Sequence, residues 1–206
     1  MTDFIYLASQ SPRRKQLLEQ WGVRCQLLLP DADEDSESLE VALPGEAPAA
    51  YVQRVTGLKL AASLARLQRR GLPSAPVLCA DTTVALGRRI LGKPASAVEA
   101  RAMLGDLSGR VHRVMTAVAV GKPARRGPST TWAALSTSRV HFDTLTPAQI
   151  RRYVASGEPM GKAGAYAIQG QAALWTREIR GSYSGIMGLP AFETAQVLAA
   201  AGIATL

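Results

Sequence analysis

Phe4 to Ala8 is an unbroken apolar run of strand length, and the polar Ser9-Gln10-Ser11-Pro12 that follows predicts a short buried strand giving way at once to a helix. Ser11 is of N-cap type, and Pro12 stands at the first helical position, where its missing N–H costs nothing. Leu17, Leu18 and Trp21 share one face of that helix, and Gly22 is a natural stop. Leu27 to Leu29 predicts a second strand. Asp31 to Glu46 has no apolar period and predicts a loop. Tyr51, Val55, Leu58, Ala62 and Ala65 then recur at alternating spacings of four and three, which predicts a long helix ending near Gly71, with Gly57 as its weak point.

Pro76 to Asp81 has the pattern of a buried strand with Asp81 at its end, and Val84 to Leu91 reads as a strand and turn leading into Gly92-Lys93-Pro94. Ser96 and Glu99 have capping-box spacing for a helix through Met103 and Leu104, ended by Ser108-Gly109. Val111 to Val120 and Thr131 to Phe142 are rich in Val and Thr and predict paired strands joined by a loop over Gly121 to Ser129. Thr146-Pro147 opens a helix through Tyr153 and Val154. Gly164 to Trp175 predicts a glycine-punctuated strand, and Pro190 to Ala201 an Ala-rich helix closed by Gly202. Helices and strands alternate unevenly. The expected fold is α/β, with a mixed sheet and two lobes around a central cleft, in one domain spanning residues 1–206.

Composition narrows the class. Hydrophobic residues make up 47% and charged residues 19% of 206, a globular balance, and a chain of this size buries roughly 70% of the surface its unfolded form exposes. No uncharged stretch reaches the length of a membrane span, and no basic leader or long apolar segment precedes a cleavage site. A soluble cytoplasmic protein is expected. Cys25 and Cys79 lack the spacing of a zinc site or a disulfide framework and read as two buried thiols.

The net charge of +8 is unevenly spread: residues 1–50 hold 4 basic and 9 acidic side chains, and residues 51–206 hold 20 and 7. A basic body favours polyanions, nucleotides among them. Aromatic residues are only 5% of the chain and do not interleave with the arginine pairs, so a base-stacking nucleic-acid platform is not expected.

Candidate chemistry begins at Ser9-Gln10-Ser11-Pro12-Arg13-Arg14-Lys15. Small polar residues and three cations at a helix start, directly after a strand, suit a phosphate: free N–H groups, the positive helix end and guanidinium forks all favour an anion. The alternative is an ordinary cap with solvated arginines, but cations in a first turn oppose the helix dipole unless an anion is bound. Asp81, followed by Thr82 and Thr83, puts a carboxylate in an apolar strand, which requires hydrogen-bonding partners or a site. Lys93 sits on a tight turn where a cation can be held against phosphate. Glu34, in the acidic loop, is either solvated or a carboxylate ligand for Mg²⁺, which takes one or two such groups plus substrate phosphates. His112 and His141 are too few and too far apart for a zinc triad or a Ser-His-Asp arrangement and read as structural.

Seven motifs together resemble one family. Ser9 to Arg14, Asp33-Glu34, Ala80-Asp81-Thr82, Gly92-Lys93-Pro94, Leu107-Ser108-Gly109 with His112, Lys162 to Gly170, and Gly188-Leu189-Pro190 look, in this order, like the Maf nucleoside triphosphate pyrophosphatases, over about residues 5 to 195. The resemblance implies an elongated mixed sheet with flanking helices, a cleft between two lobes, and a homodimer. Arg13-Arg14, Asp81-Thr82 and Ile168-Gln169-Gly170 are similar to the branch that hydrolyses dTTP and UTP; the branch acting on 7-methyl-GTP has Gln where Thr82 stands and Glu where Gln169 stands. Met160-Gly161 before Lys162, and Gly185, depart from the pattern in the lower cleft.

The resemblance implies cleavage of dTTP and UTP to the monophosphate and diphosphate, with modified pyrimidine nucleotides as further candidate substrates. Asp81 would act as the general base or orient the water through a metal. Ser9, Ser11, Arg13, Arg14 and Lys93 would hold the phosphates, while Arg14, Thr82 and Gln169 would select the base. Glu34 and Asp81 would hold a divalent ion, Mg²⁺ or Mn²⁺. Two rival classes are a nucleotide-sensing regulator of cell division without turnover and a basic nucleic-acid-binding module.

Overall fold

A computed structural model describes residues 4–31, 34, 38–124 and 127–205. Asp33 of the resemblance and the Arg125/Arg126 pair lie outside the described residues. In chain order the elements are β1 (Ile5–Leu7), α1 (Pro12–Gln20), β2 (Cys25–Leu27), a 3-10 turn at Ser38–Glu40, α2 (Pro48–Arg69), β3 (Val77–Leu86), β4 (Arg89–Leu91), α3 (Ala97–Leu107), β5 (Val111–Lys122), β6 (Thr130–Phe142) and α4 (Pro147–Ala155). Two 3-10 turns, Ala163–Ala165 and Gln171–Trp175, precede β7 (Thr176–Arg180), α5 (Tyr183–Met187) and α6 (Ala191–Ala200).

The strands form one mixed sheet in the order β2-β1-β3-β5-β6-β7, with β4 paired to β3. β1 pairs in parallel with β2 and β3, whereas β5 runs antiparallel to β3, β6 to β5 and β7 to β6. The α/β class, the mixed sheet and the long β5–β6 pair agree with the sequence.

β3 is the backbone of the molecule. Its first half contributes Leu78 and Ala80 to a core with Leu7, Leu18, Val118 and Leu198. Its far end contributes Val84 to a second core with Leu104, Phe142, Tyr153 and Ile168. Between the two apolar regions lies the polar triplet Asp81-Thr82-Thr83, where β3 passes from one core to the other. Among the described residues no helix is long and apolar enough to cross a membrane.

Five expectations need correction. Cys25 is only half-buried, and the second strand is Cys25–Leu27, with Leu28 and Leu29 beyond its end. Asp81 is not at a strand end but in the middle of β3, because β5 pairs with β3 from Val77 to Ala85 and carries it straight through. Gly164 to Trp175 is not a strand. Gly164 at φ 67° and Ala165 at φ 61° turn the chain left-handed and break any extended run, leaving two 3-10 turns; the strand of this region is β7. Finally, α2 has the predicted extent but a rotated face. Leu58 and Ala65 are exposed, and the buried positions are Tyr51, Val52, Val55, Thr56, Leu60, Ser63, Arg66 and Leu67. A polar line, Thr56, Lys59, Ser63 and Arg66, runs at helical spacing along the side facing the sheet.

Candidate functional site

The site lies at a gap in the sheet. β1 is short and meets β3 only at Val77 and Leu78, while β4 meets it only at Val84, Ala85 and Leu86. Among the described pairings, the edge of β3 around Asp81 and Thr82 is open on that side, where β1 ends and α1 begins. Successive side chains of a strand point to opposite faces, so Asp81 reaches toward α2 and Thr82 toward α1.

Arg14 joins the two ends of the gap. Its Nη1 donates to Ser9 Oγ at 3.0 Å, its Nε to the Gly188 carbonyl at 2.7 Å, and its Nη2 to Thr82 Oγ1 at 3.4 Å. Gly188 has φ 115°, a left-handed value that glycine adopts without strain, and this turn aims its carbonyl at the guanidinium. Burial pushes the Arg14 pKa down, opposed by the nearby negative charge of Asp81, which places the two groups in one electrostatic environment. Ser9 Oγ also accepts from the Ser11 N–H at 3.2 Å, while Ser11 itself makes no side-chain cap bond to the helix. Both predicted serines are therefore at the anion-favouring start of α1, Ser9 as a buried acceptor for Arg14 and Ser11 as the residue before Pro12.

Arg13 faces a different partner. With the Gln169 amide turned so that its oxygen points to the guanidinium, Gln169 Oε1 accepts from Arg13 Nη1 at 2.7 Å and from Nε at 3.2 Å. This contact joins α1 to the segment after the Ala163–Ala165 turn, to which Gln169 belongs. The segment is held in place at Gly164, whose N–H donates to the Gly92 carbonyl at 3.0 Å. Only glycine fits there: a Cβ would lie 2.8 Å from Val84 Cγ1 in a backbone that is already left-handed.

On the α2 face Asp81 ends a chain of ion pairs. Lys59 Nζ donates to Asp81 Oδ1 at 2.5 Å and to Glu40 Oε1 at 2.7 Å, and Lys93 Nζ donates to Glu40 Oε2 at 2.9 Å. The Tyr51 hydroxyl donates to the Glu40 carbonyl at 2.8 Å, fixing the 3-10 turn to α2. Burial pushes the Lys59 pKa down, but the charge and hydrogen bond of Asp81 and those of Glu40 outweigh it and leave the ammonium above its ordinary value. Burial likewise pushes Glu40 up, and the bonds from Lys59 and Lys93 bring it below the usual carboxylate range. Tyr51 is raised to about 12 by burial and by Asp81 and Glu40, so it is a phenol throughout the working pH range.

The structure thus brings together Ser9, Arg14 and Thr82, then Arg13 and Gln169, then Asp81 and Lys93 through Lys59 and Glu40. Glu34 is placed elsewhere. Its carboxylate is clasped by Arg66, with Nη2 at 2.5 Å and Nε at 3.0 Å, and by Arg69 Nη2 at 2.5 Å, which together hold its pKa at about 2. Sequence reasoning missed Lys59 and Glu40. The Thr56-Lys59-Ser63-Arg66 line was the available signal for the first; Glu40 sits in an aperiodic acidic run and offers none.

Fold and site define a mixed-sheet α/β protein with a cation-rich, carboxylate-bearing cleft at mid-strand, suited to an anionic ligand. The chain belongs to the family described as Maf-like protein, whose model matches residues 4–201. A dTTP/UTP pyrophosphatase of Albidiferax ferrireducens is 63% identical over 202 residues, covering 98% of both chains. One of a Polaromonas species is 64% identical over 201 residues, covering 98% of this chain and 97% of that protein. A third, of Cupriavidus pinatubonensis, is 59% identical over 198 residues and covers 96% of each. Among solved structures, a nucleoside-triphosphatase / dITP/XTP pyrophosphatase of Mycobacterium abscessus is 16% identical, covers 68% of this chain and 74% of its own, and has a TM-score of 0.36, too loose a likeness to locate any residue.

Proposed function

We propose that this chain is a nucleoside triphosphate diphosphatase that cleaves the α–β phosphoanhydride of dTTP and UTP, releasing the monophosphate and diphosphate. The observation that carries the reading is the convergence of Arg14 on Thr82 and of Arg13 on Gln169 at the Asp81 gap, in a chain whose relatives of this length and identity are named dTTP/UTP pyrophosphatases. Asp81 takes the proton of the attacking water as its oxygen bonds to phosphorus, and the diphosphate leaves with the electrons of the broken P–O bond. Arg13, Arg14 and Lys93, with Ser9, Ser11 and the start of α1, hold the phosphate oxygens and offset their charge. Lys59 holds Asp81 in place through Oδ1 and supplies a positive charge beside it. Arg14, Thr82 and Gln169 meet the base, the Gln169 amide offering both an acceptor and a donor to the uracil or thymine edge.

A divalent cation, Mg²⁺ or Mn²⁺, belongs to this proposal. Asp81 and Glu40 offer hard carboxylate oxygens of the kind such an ion takes, one or two with substrate phosphates completing its shell, but both are bound to Lys59, whose ammonium would first have to move aside. When bound it would offset charge on the leaving diphosphate. Among the described residues no three His, Cys, Asp or Glu side chains are grouped to hold an ion alone, so substrate oxygens would have to supply the rest. Glu34, the other carboxylate the resemblance implied, stays with Arg66 and Arg69 and is not part of the ion site proposed here.

The same reading carries a cytoplasmic setting, a homodimer, one domain of two lobes and no specific nucleic-acid partner. The test is a panel of nucleoside triphosphates, including modified pyrimidines, assayed for diphosphate release with Mg²⁺ or Mn²⁺. dTTP and UTP should lead the panel. Binding without turnover would favour a nucleotide sensor, and turnover led by purine triphosphates would overturn the substrate assignment.

A further inference from the structure

Thr82 does not stand alone behind the cleft. Its Oγ1 lies 2.9 Å from Thr116 Oγ1, and Thr116 Oγ1 lies 2.7 Å from the Gly185 carbonyl. Thr116 is on β5, directly opposite Thr82 in the ladder, and is buried at 1% exposure. A carbonyl can only accept, which commits the single Thr116 hydroxyl proton to Gly185. Thr116 can then only accept from Thr82, and the Thr82 proton points inward. Arg14 Nη2 donates to the other side of Thr82 at 3.4 Å. The direction of the whole chain is fixed: Arg14 donates to Thr82, Thr82 to Thr116, and Thr116 to the Gly185 carbonyl. Gly185 is held in turn, its N–H donating to Ser182 Oγ at 2.9 Å.

We propose that Thr116 is a specificity-positioning residue, which by taking the Thr82 proton leaves Thr82 with only a lone pair to offer in the cleft. This rests on the assignment of Thr82 to base reading. A lone pair suits a ring N–H donor, as at N3 of uracil and thymine, and opposes the unprotonated N3 acceptor of cytosine. A hydroxyl free to rotate would meet either. Discrimination among pyrimidines is thereby set one residue behind the cleft, by a group that does not touch the nucleotide.

The test compares kcat/KM for UTP and CTP in wild type, Thr116→Val and Thr116→Ser. Valine keeps the shape and removes the acceptor; serine keeps the hydroxyl. The UTP:CTP ratio should fall about tenfold or more in Thr116→Val and return toward wild type in Thr116→Ser, since discrimination of this size is what a mismatched buried polar group supplies. Combining Thr116→Val with Thr82→Val should change the ratio no further than Thr82→Val alone. A general loss of rate with the ratio intact in Thr116→Val would overturn the proposal. If the valine variant does not fold by thermal melt, Thr116→Ala is judged by the same ratio. The wild-type arm separately tests the substrate assignment: a wild type that does not prefer UTP over CTP removes that assignment, whatever the variants do.

Discussion

Two ion clusters tie the acidic segment to α2, and they are built differently. In the outer one, Arg66 and Arg69 close on Glu34 while Arg69 and Arg70 close on Asp31, and two of the guanidiniums also donate to backbone, Arg66 to the Leu28 carbonyl and Arg70 to that of Leu29. In the inner one, Asp81 and Glu40 are joined by Lys59, and Lys93 reaches Glu40 from a half-exposed position. Arginine presents a planar fork whose donors are committed to fixed partners; lysine is a compact charge on a flexible stem that can exchange partners. The outer cluster is complete without a ligand, and the inner one sits beside Arg13 and Arg14 at an open strand edge. A carboxylate with both oxygens held by guanidiniums belongs to architecture, and one held at a single oxygen by a lysine is available for chemistry.

The sharpest way to break this contrast is Asp81→Asn, which keeps the shape and the fold and removes the base. Diphosphate release from dTTP should fall roughly 10²- to 10⁴-fold. A variant with more than about half of wild-type turnover would remove Asp81 from the base role. Next come Arg13→Ala and Lys93→Ala. Each should lower kcat/KM roughly tenfold to a hundredfold, the range of one charged hydrogen bond, while moving the melting temperature by no more than about 2 °C. A slowly hydrolysed nucleotide analogue with Mg²⁺ should raise the melting temperature of wild type more than that of either variant. Equal shifts would count against the phosphate assignment.

Smaller still is the effect on base choice. Thr82→Gln combined with Gln169→Glu should lower dTTP and UTP turnover about tenfold, since an ionised carboxylate can no longer donate to a pyrimidine carbonyl. An unchanged pyrimidine preference would mean that the base is read elsewhere.

The smallest effect concerns the outer cluster and is seen in stability. Glu34 has a folded pKa near 2 against an ordinary 4.5, so its contribution is fully present above pH 4.5 and is lost as pH falls toward 2. Glu34→Gln should melt lower at neutral pH and show a flatter acid limb, with both proteins converging near pH 2. Denaturant melts between pH 2 and 7 decide it; parallel acid limbs would mean that the Arg66 and Arg69 clasp does not form in solution.

How much of this was legible beforehand depends on whether a signal was local. Ser9 to Arg14 could be read because a strand, a cap and Pro12 follow one another within a few residues, and Asp81 because a carboxylate interrupts an apolar run. The class of fold followed from the alternation of periods. What depended on distant contacts did not show. The continuation of β3 beyond Asp81 is imposed by β5, and Glu40 gains its place only when Tyr51 and Lys59 draw the acidic segment onto α2. Lys59 could have been found, because Thr56, Lys59, Ser63 and Arg66 fall on one helical line, but the apolar line through Leu58 hid it. Glycines at 164 and 170 suggested a strand where left-handed φ at Gly164 makes a turn.

The contrast between the clusters reduces to one number, the ratio of kcat/KM on dTTP for Asp81→Asn to that for Glu34→Gln, measured in a single diphosphate-release assay at saturating Mg²⁺ and neutral pH. With chemistry at the inner cluster and architecture at the outer one, the ratio should be about one hundredth or less, the order expected from loss of a positioned base. A ratio near or above one would contradict the account, placing the essential carboxylate at Glu34 and leaving Asp81 as a partner for Lys59 alone.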